Sequence, residues 1–148
     1  YWHFPNKQAI FMALVADAMD ANLRLLEVLA PDDGSPTEVK QRLAEWIDGI
    51  DERETLPQFG VELEIEARRD PSFRAIHQGM IARHEAAIAD YLTRYFAKVG
   101  EQPVMPIPEL ASALITIFKG FSLSRQNRPG APVNSSKVAR LLMGMPIA

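Results

Sequence analysis

Two histidines, His77 and His84, have the spacing expected of ligand-binding side chains on one helix face. At about 100° per residue they share an otherwise apolar stripe, which consists of Phe73, His77, Ile81, His84, Ile88, Tyr91 and Tyr95. Seven residues of helix rise about 10.5 Å, so the two imidazoles cannot chelate one metal ion together. Each imidazole either orients a polar group of a ligand or is a core histidine with a backbone or carboxylate partner. We expect at least one of them to touch a ligand cavity.

The sequence offers no familiar set of catalytic residues. It contains no Glu-x-x-His pair, no His-Glu-x-x-His motif, no glycine-rich phosphate loop and no cysteine. Ser122 and Ser124 lie in an apolar segment without an evident base. We therefore predict no enzymatic activity, no cofactor and no bound metal. An enzyme of the bundle type would require a metal or cofactor that these residues do not suggest.

Apolar residues recur at helical spacing along the whole chain, and no useful stretch alternates with period two. Helix starts are indicated by N-cap residues and by proline at the first helical position, and Gly100 indicates a helix end. The predicted helices run from Asn6 to Leu29, Ser35 to Ile50, Thr55 to Arg69, Asp70 to Val99, Pro108 to Gln126 and Asn134 to Met145. In the first helix we expect the inward stripe to be Ile10, Leu14, Ala18, Ala21, Leu25 and Leu29. The fold class is therefore an all-α helical bundle.

Composition narrows the class of protein further. With 148 residues, 47% of them hydrophobic, the chain can bury one sizeable core. A net charge of −3 argues against nucleic-acid binding by this chain as a whole. The absence of cysteine is compatible with a reducing cytoplasm, and the first residues do not form a signal peptide. Charges at Arg24, Glu27, Lys119 and Arg125 interrupt the apolar runs, so we expect a cytoplasmic protein without a membrane span.

The first residues, Tyr-Trp-His-Phe-Pro-Asn-Lys followed by Ile10, form the most specific motif. They resemble the end of the helix-turn-helix of TetR-family transcription regulators, where the recognition helix closes with Tyr-x-His-Phe and leads into the next helix. The run from Glu64 to Arg74 is also similar to a stretch of that family's regulatory domains. The resemblance implies that residues 1–5 are the tail of an incomplete DNA-binding domain, with the rest of it upstream. Tyr1, His3 and Lys7 would contact DNA, Lys7 through a phosphate.

Residues 6–148 would then be the ligand-binding and dimerisation domain of a regulator, more often a repressor in this family. The resemblance implies a homodimer that binds operator DNA through the full-length protein. A small effector in the helical domain would move the first helix. This movement would shift the two DNA-binding domains of the dimer out of register with the two half-sites of the operator. A carrier or scavenger of apolar small molecules, without any role at DNA, is the alternative. A helix-turn-helix upstream of Tyr1 would separate the two.

A cavity among the helices should be mainly apolar and aromatic. We expect its ligand-binding residues to be Trp46, Phe59, Leu63, Glu66, Phe73, His77, Met80, His84 and Phe118. Trp46 can equally be a core residue, and Glu66 can simply be solvated. These side chains suit a neutral or weakly cationic, hydrophobic or aromatic effector, unless Lys119 or Arg125 reaches inward.

The last two predicted helices are too apolar for a single buried face. One side should pack inward and the other against a second copy of the chain, forming a four-helix bundle. Gly120 would allow close approach of the two helices. A fully buried central helix in a monomer is the alternative. The predicted dimer interface consists of Leu110, Leu114, Ile117, Phe121, Val138, Leu141, Leu142 and Met145.

Overall fold

The structure, a computed structural model, describes residues 6–53, 57–128 and 130–147; within these ranges the side chains of Phe11, Arg53, residues 57–61, Gln126 and Asn127 are not described. The described residues form helices and no strand, which confirms the predicted all-α class. Seven helices are present in these ranges: α1 (Lys7–Val28), α2 (Pro36–Asp48), α3 (Ile50–Arg53), α4 (Pro57–Arg69), α5 (Pro71–Val99), α6 (Ile107–Asn127) and α7 (Ser135–Leu142).

Helix starts lie where polar caps satisfy backbone N–H groups. Ser35 and Glu38 form a reciprocal capping box at α2, with donor–acceptor distances of 3.2 Å and 2.8 Å. The Asp70 carboxylate accepts hydrogen bonds from two N–H groups in the first turn of α5, and the Asn134 side chain accepts one, from the Lys137 N–H of α7. Gly100 ends α5 at φ 72°, a left-handed conformation that glycine adopts without a Cβ clash. Local sequence therefore determines where most helices begin and end.

The central helix is α5, which packs against α1, α2, α4 and α6. A larger core joins α2, α5 and α6 to the C-terminal end of α1 and to α7, and includes the fully buried Tyr95 and Leu110. A smaller core lies near the start of α5 and consists of Leu63, Ala67 and Phe73, with Met12 and Val15 of α1 packed against it. Helix α1 therefore contacts one core with its first half and the other core with its C-terminal end.

Polar contacts hold α7 against the bundle. The Arg140 guanidinium donates to both carboxylate oxygens of Asp48, at 2.7 Å and 2.6 Å, and so connects α7 to the end of α2. Asp51 of α3 accepts a hydrogen bond from the buried Ser135 hydroxyl and forms an ion pair with the Arg125 guanidinium of α6. The short helix α3 is therefore joined to both α6 and α7.

Two helix ends differ from the sequence prediction by more than one residue. The second helix ends at Asp48, where Gly49 is the C-cap, and the separate short helix α3 follows it. Helix α7 ends at Leu142 instead of Met145, and Gly144 follows with a φ of 70°. Each difference lies at a glycine, which loses more backbone entropy than other residues when it joins a helix.

The inward face of α1 also differs from the predicted stripe. Its core contacts are made by Met12, Val15, Leu26 and Leu29. Val15 and Leu26 each follow a residue of the predicted stripe by one position, which is about 100° around the helix. Apolar residues occur on two sides of α1, so periodicity alone did not identify the buried side.

The expectation that charges interrupt every long apolar run is wrong for one segment. Ile107–Arg125 of α6 is long and apolar enough to cross a membrane, judged by length and composition alone. The core helix of a soluble protein passes the same test. In this bundle α6 packs against α4, α5 and α7, yet only 22% of the apolar window is buried within the chain.

Candidate functional site

A cavity of about 160 Å³, partly open to solvent, lies between the helices beside the central helix α5. Its walls come from α1, α2, α3, α5 and α6 and from Met143 just after α7, so the cavity exists only once these elements have packed together. Apolar and aromatic side chains form most of its surface. The described lining residues are Asn22, Leu26, Leu43, Trp46, Ile47, Ile50, His84, Ile88, Tyr91, Leu92, Leu114, Ile115, Phe118 and Met143.

Three of the predicted ligand-binding residues line this cavity: Trp46 of α2, His84 of α5 and Phe118 of α6. They are distant in the sequence and are brought together by the packing of α2 and α6 on α5. The indole and phenyl rings provide flat apolar walls, and the imidazole provides a polar group between them. This arrangement can enclose a small apolar molecule that has one hydrogen-bonding group.

The other predicted residues lie elsewhere in the bundle. Leu63 and Phe73 belong to the smaller core, where the His77 ring stacks against Phe73 with ring centroids 6.5 Å apart. Met80 is buried, but it is not among the described residues that line the cavity. The Glu66 carboxylate accepts a hydrogen bond from the Gln8 side chain at 2.8 Å, so it connects α4 to α1 instead of meeting a ligand in this cavity. None of these five residues is among the described residues that line the cavity, and their roles in ligand binding stay predictions.

Some predicted residues lie outside the described part. Tyr1 and His3 precede residue 6, as does the whole segment 1–5 that we interpret as the tail of a DNA-binding domain. The side chain of Phe59 is likewise not described. Lys7, the last residue of the motif Tyr-Trp-His-Phe-Pro-Asn-Lys, is exposed on the first turn of α1.

Burial keeps the two α5 histidines neutral. Desolvation lowers the pKa of His84, and the nearby Glu85 carboxylate opposes this effect only in part. Desolvation also lowers the pKa of His77, against the opposing charge of Glu64. A neutral imidazole has one N–H donor and one nitrogen acceptor. His84 can therefore either donate or accept a hydrogen bond at the cavity.

Tyr91 contributes to the cavity wall, but its hydroxyl is used within the fold. The hydroxyl donates to the Leu29 carbonyl oxygen at 3.4 Å, near the end of α1. Burial raises the pKa of Tyr91 to about 12, so the phenol stays protonated at neutral pH. The Tyr91 hydroxyl therefore holds α5 to α1 instead of offering a charge to a ligand.

Lys119 and Arg125, the two cations that the sequence analysis considered, do not line the cavity. The Lys119 ammonium lies 2.7 Å from the Glu64 carboxylate of α4, and that hydrogen bond lowers the pKa of Glu64. The Arg125 guanidinium pairs with Asp51. Among the described lining residues, His84 and Tyr91 are titratable, and burial favours the neutral form of both. The site is consequently suited to a ligand without net charge.

Sequence reasoning missed most of the aliphatic lining and the polar residue Asn22. On α1 the positions 12, 15, 19, 22, 26 and 29 follow the alternating spacing of three and four typical of a buried helix face. Asn22 interrupts that series, and a polar residue within an apolar series was a signal that we did not use. The aliphatic residues gave no such signal, because lining a cavity and filling a core require the same side chains.

The predicted dimer interface divides into interior and surface residues. Leu110 has no exposed surface within the chain, and Leu114 is buried and lines the cavity, which corrects their assignment to an outer face. Leu141 is 62% exposed. The remaining predicted positions are half-buried: Ile117, Phe121, Val138, Leu142 and Met145.

Comparison of the chain with protein-family models, with curated proteins and with solved structures gives no match.

Proposed function

We propose that this chain is the effector-binding and dimerising part of a TetR-like transcription regulator. The observation that carries the proposal is the course of α1. This helix begins at Lys7, beside the motif that resembles the end of a recognition helix, and its C-terminal half contributes Asn22 and Leu26 to the cavity wall. The fifteen residues between Lys7 and Asn22 correspond to about 22 Å of helix. Helix α1 thus connects the ligand site to the segment that would lead into the DNA-binding domain.

A ligand would act by changing how α1 lies against α5. At the cavity the two helices face each other through Leu26 and Tyr91, and a bound molecule would contact both. Near its start, α1 is held by the Gln8–Glu66 hydrogen bond and by the packing of Met12 on the smaller core. A small rotation at the cavity end would therefore be transmitted to Lys7. The two DNA-binding domains of a dimer must fit half-sites about 34 Å apart. Such a rotation would change the distance between them and so weaken operator binding.

The uncovered side of α6 supports dimerisation. Leu123 is 37% exposed there, and a Cβ atom added at Gly120 would meet no atom within 4 Å. Glycine in a helix interior costs about 1 kcal/mol relative to alanine, and no described atom of the chain lies within 4 Å of a Cβ placed at Gly120. A second copy of α6 could approach closely at Gly120, because the glycine has no side chain to keep the two helices apart. Leu141 of α7 would extend the same surface.

Selection of DNA by the protein tests this function. A form that includes the residues preceding Tyr1 should enrich palindromic duplexes from a random pool, with affinity that falls steeply as salt rises. Lys7→Ala should weaken all sequences about equally, as expected of a phosphate contact. The apolar cavity alone would also suit a carrier, for which the same selection would enrich no sequence. That result would contradict the regulator and favour the carrier.

A further inference from the structure

We infer that the cavity takes a compact, uncharged ligand about the size of one aromatic ring, with one hydrogen-bonding group that meets His84. This inference rests on the proposed function only in taking the same cavity as the effector site. Its three elements are the size of the cavity, the absence of a charge partner among the described lining residues and the position of the half-buried His84 imidazole.

Size sets the first limit. The cavity measures about 160 Å³. An engineered apolar cavity of about 150 Å³ in another protein stays dry and binds benzene. A single aromatic ring with a small substituent therefore fits this volume without rearrangement, whereas a larger molecule would extend out through the open side of the cavity, where Asn22 is exposed.

Charge sets the second limit. The two cations that the sequence analysis considered able to reach inward, Lys119 and Arg125, are engaged with Glu64 and Asp51. The described lining residues include no carboxylate, lysine or arginine. Transfer of an ion from water into such surroundings is costly unless it is paired. A carboxylate or ammonium on the ligand would meet no such partner, so neutral molecules are selected.

Of the polar residues Asn22 and His84 that line the cavity, Asn22 is exposed and His84 is half-buried, so we assign the polar contact with the ligand to His84. Its imidazole lies at the cavity and forms no hydrogen bond with the residues that the structure describes. The Tyr91 hydroxyl, by contrast, already donates to the Leu29 carbonyl. Because burial keeps His84 neutral, the imidazole offers both a donor and an acceptor to a ligand. A hydroxyl or ring N–H on the bound molecule would satisfy it.

Isothermal titration calorimetry of this chain with phenol, toluene and benzoate tests the inference. Phenol should bind more tightly than toluene by about two- to tenfold, which corresponds to the net free energy of one hydrogen bond. Benzoate should not bind measurably. His84→Phe should remove the preference for phenol while toluene still binds. His77→Gln, a change at the other buried histidine of α5, should leave the preference intact. Ile115→Phe, which narrows the cavity, should weaken the binding of phenol and of toluene to the same extent.

Three results would overturn the inference: benzoate binding as tightly as phenol, a phenol preference that survives in His84→Phe, or no binding of either neutral ring. Circular dichroism of each variant separates loss of binding from loss of fold, and His84→Gln provides a second substitution that retains a polar side chain. The titrations involve no DNA. Their failure would therefore leave the DNA selection unaffected, and a failed selection would leave the ligand class unaffected.

Discussion

The Lys119 ammonium and the Glu64 carboxylate are 2.7 Å apart, and this ion pair joins α6 to α4 beside the buried His77. The pair lowers the pKa of Glu64, while the Glu64 charge partly offsets the effect of burial on the pKa of His77. Both side chains of the pair remain partly exposed. Its contribution to stability is therefore that of a surface ion pair, under about 1 kcal/mol.

Replacing Glu64 with Gln should lower the pKa of His77 further. The substitution removes the negative charge that favours the imidazolium and leaves the desolvation that disfavours it. The free energy of unfolding should fall by no more than about 1 kcal/mol. NMR titration of the His77 ring measures the pKa directly. Glu62→Gln, a change at an exposed position on the same helix, is the control and should leave the His77 pKa unchanged. A His77 pKa that rises in Glu64→Gln would contradict the placement of the Glu64 carboxylate near the His77 ring.

Stability should decline as pH is lowered through the range in which free histidine titrates. Because burial lowers the pKa of His77 and His84, the unfolded chain binds more protons than the folded chain below about pH 6.5. The penalty is absent above the unfolded pKa and grows as pH falls toward the folded pKa values. Urea unfolding at a series of pH values should show this slope. The double variant His77→Gln/His84→Gln should flatten it, and an equal slope in that variant would show that other groups are responsible.

Gly120 and Gly79 offer a matched pair of substitutions for the dimer. Both lie within helices, and an added Cβ at either would meet nothing within 4 Å in the single chain. Alanine at each position should stabilise its helix by about 1 kcal/mol. Only Gly120→Ala should weaken dimerisation, because its methyl group would separate the two copies of α6. Sedimentation equilibrium decides between the outcomes: equal dissociation constants for the two variants would exclude Gly120 from the interface.

The helices were predictable from sequence because their signals are local. The Ser35 capping box and the Asp70 cap consist of residues that are close along the chain, and the structure places both at helix starts. The cavity was less predictable because it depends on which helices meet. Periodicity showed that Phe73 and His84 share an apolar stripe, yet Phe73 lies in the smaller core and His84 at the cavity. For the same reason Leu110 could not be distinguished in advance from an outward-facing leucine.

The central claim is that two copies of the chain are joined and that a ligand in the cavity changes the position of α1. Because the chain contains no cysteine, Lys7→Cys introduces a single site for a spin label at the start of α1. Pulsed electron paramagnetic resonance then measures the distance between the two labels of a dimer. A label at Ala97, exposed near the end of α5, is the control.

The measurement is made with and without phenol, at a concentration where calorimetry shows the cavity occupied. We expect one defined distance between the Lys7 labels that shifts when phenol binds, while the Ala97 distance stays constant. Absence of dipolar coupling at both positions would contradict the dimer. An unchanged Lys7 distance in the phenol-bound dimer would contradict the coupling of the cavity to α1.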